Sequence, residues 1–335
     1  MPTASVRDVA LRAGVSVGTV SNVLNRPDRV SPDAVDRVQR AIDELGYVRN
    51  DAARQLRAGR SSTIGLVVLD VSNPFFAEVA RGAQEEAAGH GFTVVLGNSD
   101  ENDAREDDYL DLFEKQRIHG VLISPNGDVE ERLRRLRSRG TPAVLVDRRS
   151  EDASVSSVAV DDIAGGRLAV EHLVQAGRRR IAYVGGPLTI RQVTDRLEGA
   201  RLAAAAGGAA LEVVEVSSLS VLEGRRAGEH LAARPAGERP DAIFAANDLV
   251  AVGLLQALVM QRSLRVPEDV ALVGYDDIDF ASTAVVPLTS IRQPSRLIGE
   301  TAVQILLEEA EDPGRPPQEV VFQPELIARA SSAAR

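Results

Sequence analysis

A row of small side chains lies on one face of a short helix predicted to begin at residue 17. Val17, Gly18, Ser21, Asn22 and Asn25 share this face at helical spacing, whereas apolar residues occupy the other face. Hydroxyl and amide groups at such positions can hydrogen-bond to base edges and to phosphate oxygens. The pattern therefore indicates a surface that enters a groove of nucleic acid.

The elements around this face predict a helix-turn-helix. The first helix has an apolar stripe at i, i+3, i+4 and i+7, formed by Val6, Val9, Ala10 and Ala13. Gly14 suits the left-handed residue that ends this helix, and Ser16 can cap the next one. An ordinary αα-hairpin would have the same geometry, so these residues alone leave both structures open.

Two further helices are predicted in the first sixty residues. Ser31 is expected to cap the third helix, with Pro32 at its first position and Gly46 at its end. Residues 50–59 predict a short fourth helix whose one large apolar side chain is Leu56. A helix this short is marginal in isolation, so we expect it to order only against a partner.

Charge is distributed unevenly along the chain. The net charge is −10 overall, but residues 1–60 carry +3 and the remaining residues carry −13. A cationic head on an anionic body is expected when only the head meets phosphates. Because +3 is modest, we expect two heads to act together.

From Ser61 onward, continuous apolar strands alternate with amphipathic helices, and this rhythm restarts at Ile181. Such strands predict an α/β fold with parallel, doubly wound sheets that are covered on both faces. Two similar halves predict a two-lobed core with a cleft between the lobes. Ligands of such sheets bind beyond the carboxyl ends of the strands.

Motifs along nearly the whole chain resemble the lactose-repressor (LacI) family of bacterial transcription regulators. The motifs include D-V-A-x-x-A-G-V-S at Asp8–Ser16, T-V-S-x-V-L-N at Thr19–Asn25, SNPFF at Ser72–Phe76, AANDLVAVG at Ala245–Gly253 and RVPEDVALVGYDD at Arg265–Asp277. The resemblance implies a DNA-binding head, a hinge helix and a periplasmic-binding-protein-like core that closes on a small effector.

The resemblance assigns base reading to Val17, Gly18 and Asn22. Asn22 can pair with adenine, and Val17 can contact a thymine methyl group. Side chains suited to phosphate contacts are Ser16, Thr19, Ser21, Asn25 and Ser31. The helix at residues 50–59 resembles the family's hinge helix. There, Leu56 would wedge into a minor-groove base step, Ala53 would pack beside it, and Arg57 would reach the groove or its backbone.

Candidate effector residues lie where strands end or where the family's cleft positions fall. They are Phe75, Phe76, Asp147, Asp161, Arg196, Leu219, Asn247 and Asp276. Their carboxylate, amide and guanidinium groups suit a polyhydroxylated ligand. Leu219 stands where many sugar-responsive members of the family have an aromatic residue. The effector class therefore stays open between a sugar and another polar metabolite.

Enzyme motifs are absent from the sequence. It has no phosphate-binding loop, no G-x-S-x-G elbow, no H-E-x-x-H and no cysteine, and its four histidines have no metal-ligand spacing. We therefore expect no enzymatic activity, no metal and no cofactor besides the effector. The alternative from another class is a solute-binding protein that serves a transporter. The head and the lack of a signal peptide argue against that alternative, and they predict a cytoplasmic protein without a membrane segment.

The expected organisation has three parts. These are a helix-turn-helix DNA-binding domain (1–49), a hinge helix and linker (50–60) and an effector-binding and dimerisation core (61–335). In the core, the N-lobe would comprise about 61–160 and 291–320, and the C-lobe about 163–289 and 321–330. No leucine heptad follows the last expected strand, Glu319–Ala328. We therefore expect a homodimer that binds a near-palindromic operator as a regulator, most often a repressor in this family.

Overall fold

The computed structural model describes residues 4–47, 61–151, 153–261 and 264–332. The chain divides into two compact units, Met1–Arg60 and Ser61–Arg335. Within the described residues, no helix combines the length and apolar character needed to cross a bilayer.

The first unit contains three helices: α1 (Val6–Ala13), α2 (Val17–Asn25) and α3 (Pro32–Leu45). Gly14 ends α1 with φ +64°, and Gly46 ends α3 with φ +57°, both in the left-handed region. The hydroxyl of Ser16 accepts from the backbone N–H of Thr19 and thereby caps α2. The helix-turn-helix expectation is confirmed.

The head is held together by a small apolar core contributed by all three helices. Its buried members are Val9, Ala10, Ala13, Val20, Val23, Val38 and Ala41. One capping expectation is wrong in detail. Ser31 occupies the N-cap position of α3, but among the described residues its side chain makes no capping hydrogen bond. Ser31 is exposed, so water can satisfy the N–H groups of the first turn that its hydroxyl would otherwise cap.

The second unit begins with alternating strands and helices. In order they are β1 (Thr63–Val68), α4 (Pro74–Gly89), β2 (Thr93–Asn98), α5 (Asp103–Gln116), β3 (Gly120–Ile123), α6 (Glu130–Ser138), β4 (Ala143–Val146) and β5 (Ser156–Val160). These strands form one parallel sheet, which we call the N-lobe sheet, and its strands β1, β3, β4 and β5 are almost completely buried.

The chain then builds a second sheet with the same rhythm. The elements are α7 (Asp162–Gln175), β6 (Arg180–Gly185), α8 (Arg191–Gly207), β7 (Ala210–Glu215), α9 (Val221–Ala233), β8 (Ala242–Ala245), α10 (Asp248–Leu255), β9 (Ala271–Asp276), α11 (Asp279–Thr283) and β10 (Thr289–Arg292). A π-helical segment, Gln256–Gln261, continues α10. We call this sheet the C-lobe sheet.

The last elements return to both lobes. They are α12 (Ser295–Glu311), β11 (Glu319–Phe322) and β12 (Glu325–Ile327). The N-lobe sheet has the order β11-β5-β4-β3-β1-β2, and the C-lobe sheet has the order β12-β10-β9-β8-β6-β7. Every pairing is parallel except that of β12 with β10. The expected α/β class with two doubly wound sheets is confirmed.

Sheet membership shows where the chain passes between the lobes. It crosses after β5, after β10 and again between β11 and β12. The expected lobe limits near 291 and 321 fall inside β10 and β11, so each crossing comes slightly later. The single expected strand at residues 319–328 is wrong, because it is two strands that belong to different sheets. Pro324, which lacks an N–H for pairing, lies between them.

Three helix pairs cross at reciprocal glycines. A Cβ atom on Gly82 of α4 would lie 2.0 Å from the carbonyl oxygen of Arg296, and one on Gly299 of α12 would lie 2.0 Å from that of Val79. Gly166 with Gly199, and Gly224 with Gly253, make the same close crossing in α7–α8 and in α9–α10. The helix backbones are therefore in direct contact, with no room for a methyl group.

We expect Gly82→Ala to lower the free energy of unfolding by about 1–3 kcal/mol or more. The added methyl group would overlap a backbone carbonyl, which cannot rotate away as a side chain could. Gly89→Ala is the matched control on the same helix, where a Cβ atom meets nothing within 4 Å. Urea denaturation should show a neutral or slightly stabilising effect for the control. Equal stability of the two variants would contradict the close crossing.

Candidate functional site

A small cavity lies between the two lobes, at the carboxyl ends of their strands. Its volume is about 30 Å³, room for one or two water molecules. Seven of the eight expected effector residues line it, namely Phe75, Phe76, Asp147, Arg196, Leu219, Asn247 and Asp276. The structure adds Leu69, Asp70, Asn73, Glu101, Ile190 and Gln192. We call this the interlobe cavity.

Arg196 is the buried cation of the interlobe cavity. Its Nε donates to Asp162 Oδ1 at 2.7 Å, and one terminal nitrogen donates to the carbonyl oxygen of Ala246 at 2.8 Å. The guanidinium carbon lies 3.7 Å from the ring centroid of Tyr275, a cation–π distance. Burial opposes the charge, but nearby acidic groups, Asp162 first, raise the pKa of Arg196 above its usual value.

Two aspartates line the cavity at strand ends, and both have a backbone with positive φ. Asp147, which follows β4, has φ +59°, and Asp276, the last residue of β9, has φ +103°. Burial raises the pKa of Asp276 to about 6, although Arg196 opposes the shift. Burial, followed by the charge of Asp162, raises the pKa of Asp147 well above its usual range. The site therefore holds carboxyl groups for which ionisation is costly.

Amide side chains join the lobes across the cavity. Gln192 Nε2 donates to the Asp147 carbonyl oxygen at 2.7 Å and to its Oδ2 at 3.1 Å. Asn73 Nδ2 donates to Asp276 Oδ2 at 3.1 Å, and Gln293 Nε2 donates to Asp276 Oδ1 at 2.8 Å. Gln192 and Asp276 belong to the C-lobe, whereas Asp147 and Asn73 belong to the N-lobe. The cleft is thus closed by hydrogen bonds between its own walls.

The remaining lining residues have local roles as well. The side chain of Asn247 caps α10 by accepting from Val250 N at 2.9 Å, and its amide donates to the Leu219 carbonyl oxygen. Phe75 and Phe76 pack edge to face with ring centroids 5.0 Å apart. Both rings are almost fully buried, so they supply an apolar wall.

Asp161 is the expected effector residue that does not line the interlobe cavity. Its Oδ1 accepts from Ala164 N at 2.9 Å and caps α7. It lies instead along a second, charged cavity of about 650 Å³, which shares Asp147 and Gln192 with the first. The next residue, Asp162, is the buried partner of Arg196, because it begins α7 and points to a different side of the helix.

The polar site residues that sequence reasoning missed are Asp70, Asn73, Glu101, Asp162, Gln192 and Gln293. Some sequence signals exist in retrospect. Asn73 precedes the helix-starting Pro74, and Gln192 precedes Arg196 by one helical turn. No sequence pattern marks Asp162 or Gln293 as a site residue. Each lies where the chain turns into a helix, and only that turn directs its side chain toward the cleft.

The outer face of α2 is open in the described head. Val17 is 44% exposed, and Asn22 is exposed. A Cβ atom on Gly18 would meet only Ser16 Oγ, at 3.6 Å. Thr19 and Ser21 are half-buried on this helix. The side chain of Asn25 and the residues Ala53, Leu56 and Arg57 lie outside the described residues.

We expect Arg196→Ala to reduce the free energy of unfolding by about 3–5 kcal/mol, because Asp162 loses its buried counter-ion. Arg191→Ala is the matched control, because Arg191 lies on the same helix and pairs with Asp195 at the surface. The control should change stability by less than about 1 kcal/mol. Chemical denaturation of both variants measures the difference, and a mild effect for Arg196→Ala would contradict its central role.

Comparisons with known proteins follow the same division of the chain. Residues 5–50 match the model described as bacterial regulatory proteins, lacI family, and residues 170–332 match the periplasmic binding protein-like domain. The ribose operon repressor of Escherichia coli (strain K12) is 34% identical over 337 residues, covering 98% of this chain and 100% of that protein.

Two solved structures are similar over nearly the whole chain. The transcriptional regulator CelR in complex with cellobiose is 33% identical with a TM-score of 0.73, covering 98% of this chain and 99% of that one. The Lac repressor dimer bound to operator and the anti-inducer ONPF is 27% identical with a TM-score of 0.84, covering 99% and 100%.

Proposed function

Because this chain belongs to the LacI family of bacterial regulatory proteins, we propose that it represses transcription as a homodimer on a near-palindromic operator, under the control of a small-molecule effector. The observation that carries the proposal is the exposed outer face of α2 on a helix-turn-helix head, joined to a two-lobed core with a polar cleft. Proteins of this family are repressors rather than enzymes.

In this proposal, α2 enters the major groove and its exposed face reads the operator. Asn22 and Val17 contact base edges, and the missing side chain at Gly18 allows close approach. Phosphate contacts come from Ser16, Thr19, Ser21, Asn25 and Ser31. The segment 50–60 acts as the hinge, with Leu56 at a central base step, Ala53 beside it and Arg57 at the groove. Because operator DNA is the target, the protein acts in the cytoplasm.

The effector occupies the interlobe cavity in this proposal. Phe75, Phe76, Asp147, Arg196, Leu219, Asn247 and Asp276 form the walls, and Asn73 and Gln192 are additional contacts. At about 30 Å³ the closed cavity cannot hold a metabolite, so binding requires the amide–carboxylate contacts to rearrange. Binding then changes the lobe angle and, by linkage, the affinity of the two heads for DNA.

An apolar groove on the C-lobe supports the homodimer. It is lined by Val252, Leu255, Gln256, Met260, Phe280, Thr283, Ala284 and Val285. Met260 is 70% exposed, Phe280 56% and Val285 77%, which is unusual clustering for large apolar side chains. A twofold axis through this surface would pack the groove of one subunit against the same groove of the other. This is the geometry of an isologous interface.

Selection from randomised double-stranded DNA, followed by sequencing of the bound fraction, tests the function. We expect a near-palindromic motif with a preferred central step. The same operator then reports effectors, because a metabolite that binds the cleft should change operator affinity. Absence of binding at low salt, with and without candidate ligands, would overturn the proposal and favour a solute-binding protein.

We expect Asn22→Ala to weaken binding to the selected operator by about 1–3 kcal/mol, because one bidentate base contact is lost. Binding to non-specific DNA should stay the same, since phosphate contacts supply it. Gln39→Ala on the exposed face of α3 is the matched control and should bind like the parent. Fluorescence anisotropy at fixed salt measures all three proteins. Equal losses on both DNAs would contradict base reading.

We expect Phe280→Asp to shift the protein from dimer to monomer, because a charge would be buried at the proposed interface. Leu202→Asp provides the control, since Leu202 is similarly exposed, at 52%, on α8. Sedimentation velocity should show a dimer for the parent and the control. A dimeric Phe280→Asp variant would show that the interface lies elsewhere.

A further inference from the structure

The walls of the interlobe cavity carry more acidic groups than basic ones. Among the described residues, four carboxyl groups line it, those of Asp70, Glu101, Asp147 and Asp276, against one guanidinium, that of Arg196. Arg196 is already paired with Asp162, which does not line the cavity. Arg196 also lies 3.9 Å from Asp276 Oδ1, so its charge is shared between Asp162 and Asp276. The described lining has no further cation for Asp70 and Glu101.

The same walls present hydrogen-bond acceptors that have no partner. Asp147 Oδ1 and Gln192 Oε1 are buried without a hydrogen bond among the described residues. The two residues are only 3% and 4% exposed. Unpartnered buried acceptors are costly, so a ligand that fits here must donate hydrogen bonds.

Asp70 and Glu101 lie close to each other in the lining, and Glu101 accepts a hydrogen bond from the backbone N–H of Leu219. The carboxylate of Asp70 accepts from the backbone N–H of Ser72 at 2.8 Å and from its hydroxyl at 2.6 Å. Burial, and then the charge of Asp70, raise the pKa of Glu101 to about 7, whereas the backbone N–H of Leu219 opposes the shift. Leu219 itself has no polar side chain, so no side-chain cation or donor faces Glu101 from that position.

We propose that the Asp70–Glu101 part of the cavity is an ammonium subsite and that the effector is a polyhydroxylated amine. This inference rests on the proposed function. The hydroxyls of such a ligand donate to Asp147 and Gln192, and its ammonium group lies between Asp70 and Glu101. Phe75 and Phe76 supply the apolar part of the same lining.

Other ligand classes fit this cavity less well. A phosphate or carboxylate would meet four carboxyl groups. A neutral sugar could donate hydrogen bonds to the walls, but it would bring no positive charge to Asp70 and Glu101. A metal ion is disfavoured as the missing cation, because nowhere in the described parts of the chain do three or more His, Cys, Asp or Glu side chains form a cluster that could hold one. An organic ammonium supplies both the charge and the hydrogen-bond donors.

A matched pair of small probes tests the subsite. Tris carries three hydroxymethyl groups and an ammonium at pH 7, and pentaerythritol has the same shape with a fourth hydroxymethyl group instead. The full-length protein is titrated with each probe in sodium phosphate buffer at constant ionic strength, and thermal unfolding and calorimetry are recorded. We expect Tris to raise the Tm saturably and to bind at least tenfold more tightly than pentaerythritol.

Two variants locate the effect. Glu101→Gln should weaken Tris binding at least tenfold and leave pentaerythritol unchanged, and Asp70→Asn gives a second reading if the first variant folds poorly. Glu238→Gln, at an exposed loop, is the control and should bind Tris like the parent. Equal binding of the two probes, binding of neither, or Tris binding that survives both Glu101→Gln and Asp70→Asn would overturn the inference.

Operator binding separates this inference from the proposed function. If the protein selects an operator and responds to neutral polyols but not to amines, the function stands and the ammonium subsite is wrong. If Tris binding depends on Glu101 while no operator is selected, the subsite stands and the regulatory function is wrong.

Discussion

The buried guanidinium of Arg196 is the interaction on which the cleft depends. Taking an arginine out of water is costly unless its donors are satisfied. Here the guanidinium contacts three different segments of the chain, two through hydrogen bonds and one through an aromatic ring. Asp162 belongs to α7, Ala246 follows β8, and Tyr275 lies in β9. The charge thus fixes the relative positions of the elements that carry the cavity wall. Gly166 of α7 also lies directly against the backbone of Arg196, so helices α7 and α8 cross in close contact at this arginine.

Much of the fold could be predicted from the sequence because its signals are local. Unalternated apolar strands between amphipathic helices require a covered parallel sheet, and Gly14 and Gly46 mark helix ends that the structure has at those residues. The ends of the strands also predicted most of the cavity, since Asp147 and Asp276 come directly at those ends. These statements need no knowledge of distant residues.

The rest depends on contacts between residues far apart in the chain. Asp161 and Asp162 are adjacent and chemically identical, and only the starting point of α7 decides that the second one meets Arg196. Asn73 and Gln293 reach Asp276 from the other side of the cleft and from a crossing segment. The split of residues 319–327 into strands of two sheets likewise follows from pairing partners, which a single short apolar run does not specify.

That split has a mechanical consequence. Within nine residues, β11 completes one edge of the N-lobe sheet and β12 completes one edge of the C-lobe sheet. Only two residues join β11 to β12, so displacement of one strand strains the other, and loss of both would expose a sheet edge in each lobe. The two lobes are therefore coupled in their unfolding as well as in their closure. The core should melt as one cooperative body although it contains two separate sheets.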